Sequence, residues 1–195
     1  MMKKISFILF SFCLLTFSLQ AQENAEQVAR HKFGFVTGYA NQSFLGVSYT
    51  YNVMFFQLQH YFSLSDKEKW DIELITQPQF NTVRYKEIDF ESEISSGFEF
   101  GVNIGFLFRR KIATDNVHIY TFISTGPHYV SGTPDRQVPG FIFSDNLFLG
   151  FDVKLTDKLS FDIRSGIRHI SNASIKQPNR GVNSSVVNAG VLLKL

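Results

Sequence analysis

The chain has 195 residues, a formal net charge of +2 and a mean hydropathy of −0.02. That charge is too small to recruit nucleic acid, and no Lys/Arg cluster interleaves with aromatics as a nucleic-acid face requires. A single cysteine, Cys13, excludes a disulfide framework and a Cys-based zinc site, and with 22 Phe and 15% aromatics the order of apolar and polar residues carries the signal.

The first segment reads MMKKISFILFSFCLLTFSLQA: two lysines, a mainly apolar run from Ile5 to Leu15, and a more polar tail ending in small Ala21. This is the layout of a secretory signal peptide over residues 1–21, cleaved before Gln22, and its apolar run is too short for a comfortable membrane-spanning helix. Removal leaves 195 − 21 = 174 residues, 22–195, one domain's worth of chain from which Cys13 is gone.

From there on the hydrophobic period is two, not 3.6, the mark of strands with two differently solvated faces. Phe98, Phe100, Val102, Ile104, Phe106 and Phe108 oppose Glu99, Gly101, Asn103, Gly105 and Arg109. Leu147, Leu149, Phe151, Val153 and Leu155 oppose Asn146, Gly150, Asp152 and Lys154. Val187, Ala189, Val191, Leu193 and Leu195 oppose Asn188, Gly190 and Lys194. The alternation predicts eight strands, at 32–41, 46–63, 69–85, 95–109, 116–131, 141–156, 159–172 and 184–195. Short charged connectors at 65–69, 110–115 and 156–158 alternate with longer ones at 86–94, 132–140 and 173–183, as turns and loops do in outer-membrane barrels.

Period alone leaves open which face points inward, since a soluble ligand-carrying barrel also alternates. Long aromatic rows opposite charge and glycine favour an all-β, eight-stranded antiparallel up-and-down transmembrane barrel with a narrow polar lumen. In such a lumen Glu73, Glu99, Asp152, Asp162, Arg164 and Arg168 are expected to pair. The last eight residues, from Asn188 to Leu195, resemble the terminal assembly signal of outer-membrane proteins, with Leu195 in place of the usual aromatic.

The seventh strand holds the residues that could carry chemistry. Leu159, Phe161, Ile163, Ile167, His169 and Ser171 share its apolar face, and Asp162, Arg164 and Arg168 the polar one. An imidazole and a hydroxyl on a lipid-facing row are costly without a partner or a purpose. Residues i and i+2 are roughly 6.5–7 Å apart at Cα, within reach for His169 to act as the base of Ser171. The bland reading, two polar side chains at a membrane–water interface, stays open on the residues alone. His31, His60, His118 and His128 lie far apart in sequence without metal-ligand spacing and read as ordinary strand residues. The formal sequons at Asn41, Asn172 and Asn183 read as coincidence, and no phosphate loop, nucleotide motif or metal motif implies a cofactor.

The stretch His169-Ile-Ser-Asn-Ala-Ser-Ile-Lys-Gln-Pro-Asn-Arg-Gly181 resembles the signature of the lipid A 3-O-deacylases, eight-stranded outer-membrane esterases. The resemblance implies a hydrolase that removes the ester-linked 3-O-acyl chain of lipid A in the outer membrane of a Gram-negative bacterium. It makes Ser171 the nucleophile and His169 the general base, with lipid A (lipopolysaccharide) and the surrounding outer-membrane lipid as partners. The family's acidic residue, fourteen positions after the histidine, falls on Asn183, which orients an imidazole but adds no charge. Asn172 and Asn179 also match family positions. Their amides either donate to the oxyanion or build the loop, as Asn and Pro-Asn favour turns. Backbone N–H groups around Ser174, where the family commonly has glycine, are further oxyanion candidates. The rival reading is a non-catalytic small barrel, adhesin or structural, with ligand-binding outer loops.

Overall fold

The computed structural model describes residues 31–67, 69–86, 93–112 and 114–194, so the signal-peptide expectation over residues 1–21 lies outside the described residues. Eight strands follow one another: β1 (His31–Asn41), β2 (Thr50–Asp66), β3 (Trp70–Lys86), β4 (Ser95–Ile112), β5 (Thr114–Val130), β6 (Gly140–Lys154), β7 (Leu159–Ser171) and β8 (Val182–Lys194). Each pairs antiparallel with its chain neighbour, and β1 pairs with β8 through partners such as Phe35 with Val191, closing the barrel. Closure leaves no unpaired edge, the condition a sheet must meet to stand in hydrocarbon.

The predicted strands agree with these to within a few residues. The largest displacement is the start of β2, Thr50 rather than residue 46. There Leu45 N–H closes a turn on Gln42 O at 2.9 Å, and Gly46 takes a φ of 61°. The Gln42 amide then stands in for a strand partner, accepting from Tyr51 N–H at 2.6 Å and donating to Tyr51 O at 2.7 Å. A side chain thus replaces the backbone ladder, which alternation of apolar residues does not reveal.

The faces divide as the rows predict. Phe33, Phe35, Phe56, Leu58, Phe100, Ile104, Phe106, Leu149 and Val191 are exposed on the outer wall, while Gln57, Glu73, Glu99, Arg109, Asp152, Arg164 and Arg168 are buried in the lumen. Inside, charges neutralise one another in three tiers. Toward the short turns Arg109 bonds Glu73 at 2.7 Å and Asp152 at 2.8 Å, with Lys32 on Glu73 and His118 on Asp152. In the middle Arg164 lies 5.2 Å and 5.4 Å from the ring centres of Phe122 and Phe148, near Asp162, which Tyr120 hydroxyl also bonds. Toward the long loops Arg168 grips Glu99 through Nη1 at 3.2 Å and Nη2 at 2.9 Å, and Tyr51 and Asn81 donate to the same carboxylate. Side chains fill the middle of the lumen, as the bore of an eight-stranded barrel allows, and a cavity of about 250 Å³ opens among Lys32, Glu73, Arg109 and Asp152 at the short-turn end.

At the short-turn end Arg110 sits 5.1 Å over the Trp70 ring, an interfacial anchor, and at the other end Phe98, Phe100 and Tyr129 cluster. His31 and His60, distant in sequence, meet across β1 and β2: their rings stack at 5.1 Å and Nδ1 and Nε2 lie 2.9 Å apart. Antiparallel pairing of the two strands brings them together, with Phe33 opposite His60.

Candidate functional site

β7 ends at Ser171, at the end of the barrel that bears the long connections. His169 and Ser171 point outward there, on the row that continues through Ile167, while Arg168 turns into the lumen toward Glu99. The register places His169 opposite Asn183 of β8 on one side and opposite Asp145 of β6 on the other. Asp145 in turn faces Thr125, and Thr125 faces Ile104, so one row crosses the outer wall: Ile104, Thr125, Asp145, His169, Asn183.

His169 and Asn183 are brought into direct contact, Nδ1 to Oδ1 at 2.7 Å. With the amide oxygen as acceptor, Nδ1 carries the proton and Nε2 presents its lone pair. The Cε1–Nε2 edge lies against Gly181. A Cβ built on Gly181 would stand 2.4 Å from His169 Cε1 and 3.0 Å from Nε2, and the φ of 64° favours glycine independently. Ser171 lies on the same face, but among the described residues no hydrogen bond joins its hydroxyl to His169.

The connection after β7 reverses the chain in a tight turn. Ile175 N–H reaches Asn172 O at 3.0 Å, and the two residues between, Ala173 and Ser174, have φ of 51° and 64°. The left-handed conformation at Ser174 is one glycine adopts without strain. Asn172 and Asn179 knit this loop together: Asn172 N–H donates to Asn179 Oδ1 at 2.9 Å, Asn172 Nδ2 to Lys176 O at 2.9 Å, and Asn179 Nδ2 to Ser174 Oγ at 3.4 Å. Both amides thus have loop-building partners, whereas the backbone N–H groups of Ala173 and Ser174 have no acceptor among the described residues.

Two neighbouring loops hold the assembly from outside. Val138 N–H donates to Pro178 O at 3.0 Å, Arg180 N–H to Arg136 O at 2.9 Å, and Gly181 N–H to the Oε1 of buried Gln137 at 3.3 Å. Tyr49 hydroxyl accepts from Asn183 N–H at 2.9 Å and carries Arg136 over its ring at 4.5 Å. Asn183, the residue that holds the imidazole, is therefore fixed by its own backbone.

Beside this polar row lies an open groove of about 800 Å³ on the outer wall. Ile104, Phe106, Ile123, Leu147 and Ile167 line it, with Leu45 from the β1–β2 connection, and Asp145, His169 and Asn183 form its polar edge. Such a surface accepts a hydrocarbon chain on one side and a polar linkage on the other. Gly181 and Asp145 escape a reading from sequence for different reasons. Gly181 stands inside the signature stretch without a visible job, and Asp145 extends the apolar row of β6 one step before Leu147. A carboxylate on a lipid-facing row is itself a signal.

The family profile described as Lipid A 3-O-deacylase (PagL) matches residues 29–191. No curated protein sequence matches the chain. Among solved structures, the outer membrane enzyme PagL aligns with a TM-score of 0.58 at 16% identity, over 82% of this chain and 97% of that one. Neisserial surface protein A aligns with a TM-score of 0.53 at 13% identity, over 85% of this chain and 97% of that one. At such identities the structural likeness establishes the barrel, and the profile carries the kinship.

Proposed function

The chain belongs to the lipid A 3-O-deacylase family, and from that premise we propose that Ser171 and His169 hydrolyse the ester-linked 3-O-acyl chain of lipid A at the outer-leaflet face of the barrel. The observation that carries this reading is the 2.7 Å bond from His169 to Asn183, which leaves Nε2 free as a base beside an apolar groove open to lipid. An acyl chain lies along Ile167 and Leu147, bringing its ester carbonyl to the rim where Ser171 stands.

The chemistry proceeds in two halves. Ser171 Oγ closes onto Nε2 as the substrate arrives, a tightening common in hydrolytic sites. Oγ attacks the carbonyl carbon while its proton passes to His169 Nε2. The N–H groups of Ala173 and Ser174 receive the oxyanion, with Asn172 and Asn179 holding the turn that aims them; one such donor is worth about 2.7–4 kcal/mol in a protease. The intermediate collapses, the C–O bond to the sugar breaks, and Nε2 returns the proton to the departing 3-hydroxyl. Water from the interface, deprotonated by His169 Nε2, then attacks the acyl carbonyl, the bond to Ser171 Oγ breaks, and Nε2 returns the proton to Oγ as the fatty acid leaves. No cofactor enters the scheme.

Mass spectrometry of lipid A from Gram-negative cells expressing the wild-type barrel or Ser171→Ala, with insertion verified for both, tests the reading. Loss of one hydroxyacyl chain with wild type, abolished by at least about 10³-fold in Ser171→Ala, is the expected result. The specific observation behind the rival, a non-catalytic barrel, is Asn183 in place of an acid. That reading requires unmodified lipid A with both proteins.

A further inference from the structure

The hydrolytic reading leaves one electrostatic gap, because Asn183 orients His169 without the negative charge that stabilises an imidazolium. We infer that Asp145 supplies that charge from the opposite side of the ring, so that the orienting and the charge-bearing duties of a triad acid are divided between two strands. This rests on His169 being the base of Ser171.

Four observations converge on Asp145. It is the direct cross-strand partner of His169, as Asn183 is on the other flank, which brings the two side chains roughly 4.5–5.5 Å apart at Cβ. It points outward with His169 and lines the same groove. Thr125 Oγ1 donates to its Oδ1 at 2.5 Å and so anchors the carboxylate, while Oδ2 has no partner among the described residues. Finally, it interrupts the apolar row between Phe143 and Leu147, where a carboxylate facing lipid is costly and asks for a purpose. Arg168, the other charged residue at the groove, turns inward and is neutralised by Glu99, so it neither competes for Asp145 nor repels the imidazolium strongly.

Asp145 touches no reacting atom in this scheme and is a positioning residue in the electrostatic sense. As Ser171 Oγ yields its proton to Nε2, the ring gains a positive charge between the neutral Asn183 amide and the Asp145 carboxylate. At the low dielectric of the bilayer edge this attraction is stronger than in water. The charge exists only after proton transfer, so the attraction favours the transition state and leaves substrate binding untouched.

The test uses the purified, folded barrel in mixed micelles of lipid A and detergent, with release of hydroxy fatty acid as readout. Asp145→Asn keeps an acceptor for Thr125 and removes only the charge. It is expected to lower kcat about tenfold with KM unchanged. Adding Asn183→Asp to Asp145→Asn restores a carboxylate on the other flank and is expected to bring kcat back to within about threefold of wild type. Asp145→Glu retains more than half of the activity. Wild-type kcat in Asp145→Asn, or no recovery in the double variant, overturns the proposal. Undiminished hydrolysis by Ser171→Ala instead overturns the underlying Ser/His reading, and the role of Asp145 with it. Heat-modifiable electrophoretic mobility verifies folding of every variant, so lost activity is not lost structure.

Discussion

The two faces of β7 use polar residues in opposite ways. Inward, Asp162, Arg164 and Arg168 are buried, and Arg168 donates two hydrogen bonds to the Glu99 carboxylate, which Asn81 also bonds. Outward, His169 and Ser171 are only half-buried, and the Ser171 hydroxyl engages no hydrogen-bond partner among the described residues. On the inner face Arg168 has its bonding capacity taken up by Glu99 and builds structure, whereas on the outer face the Ser171 hydroxyl keeps capacity to spare at a lipid surface, as the proposed chemistry requires. Residues adjacent in sequence, Arg168 and His169, fall on opposite sides of this division because successive strand side chains point to opposite faces.

Removing one partner of the lumen pair tests the division most severely. Glu99→Ala leaves Arg168 charged and uncompensated in a buried site, along with the donors Tyr51 and Asn81. Breaking a buried pair in this way costs about 3–5 kcal/mol. Urea unfolding of the barrel refolded into vesicles should register that loss, while the fraction that folds retains Ser171-dependent hydrolysis. A stability change below about 1 kcal/mol would mean that the lumen tolerates a free charge, through water, and the contrast between faces would weaken.

A smaller effect on stability and a larger one on activity is expected at Gly181, which belongs to the outward set. A methyl group there meets the His169 ring edge at 2.4 Å and must also hold a φ of 64°. The left-handed backbone costs about 1–2 kcal/mol. Displacing the imidazole by about 1 Å costs on the order of 10²-fold in turnover. Gly181→Ala should therefore lower kcat about a hundredfold in a barrel that still folds. Equal losses in wild-type and Asn183→Ala backgrounds would indicate that Gly181 acts on the loop rather than on the ring that Asn183 holds.

These contrasts were unequally legible in the sequence. The row from Phe98 to Phe108 and its polar complement reveal strand, face and lumen because alternation is a direct imprint of the pleat. His169 and Ser171 stand out because polar groups at the end of an apolar row are anomalous and because the stretch to Gly181 resembles a family signature, and Asn183 because that resemblance puts the family's acidic residue fourteen positions after the histidine. The contact of His31 with His60 depends on the pairing register of β1 and β2, which no single strand encodes. The start of β2 depends on a Gln42 side chain replacing a backbone partner. Asp145 lies within reach of the alternation argument, one step before Leu147, yet its meaning emerges only when β6 is laid beside β7. The loop amides of Asn172 and Asn179 likewise acquire their knitting role only in three dimensions.

The smallest expected effect concerns the groove wall. Ile167 is 56% exposed and lies below His169 on the same row, against Leu147 of β6. In a closed pocket in water, loss of a single methylene changes specificity by about 10–200-fold. An acyl chain reaching this wall comes from surrounding lipid, which is as apolar as the wall itself, so moving it there involves little hydrophobic driving force. Ile167→Ala is therefore expected to lower kcat/KM by only about two- to threefold, through packing alone. Kinetics on micelles with acyl chains of graded length measure this directly. A loss of tenfold or more, rising with chain length, would mean that the substrate chain is sequestered from lipid, and the groove would have to close over it during turnover.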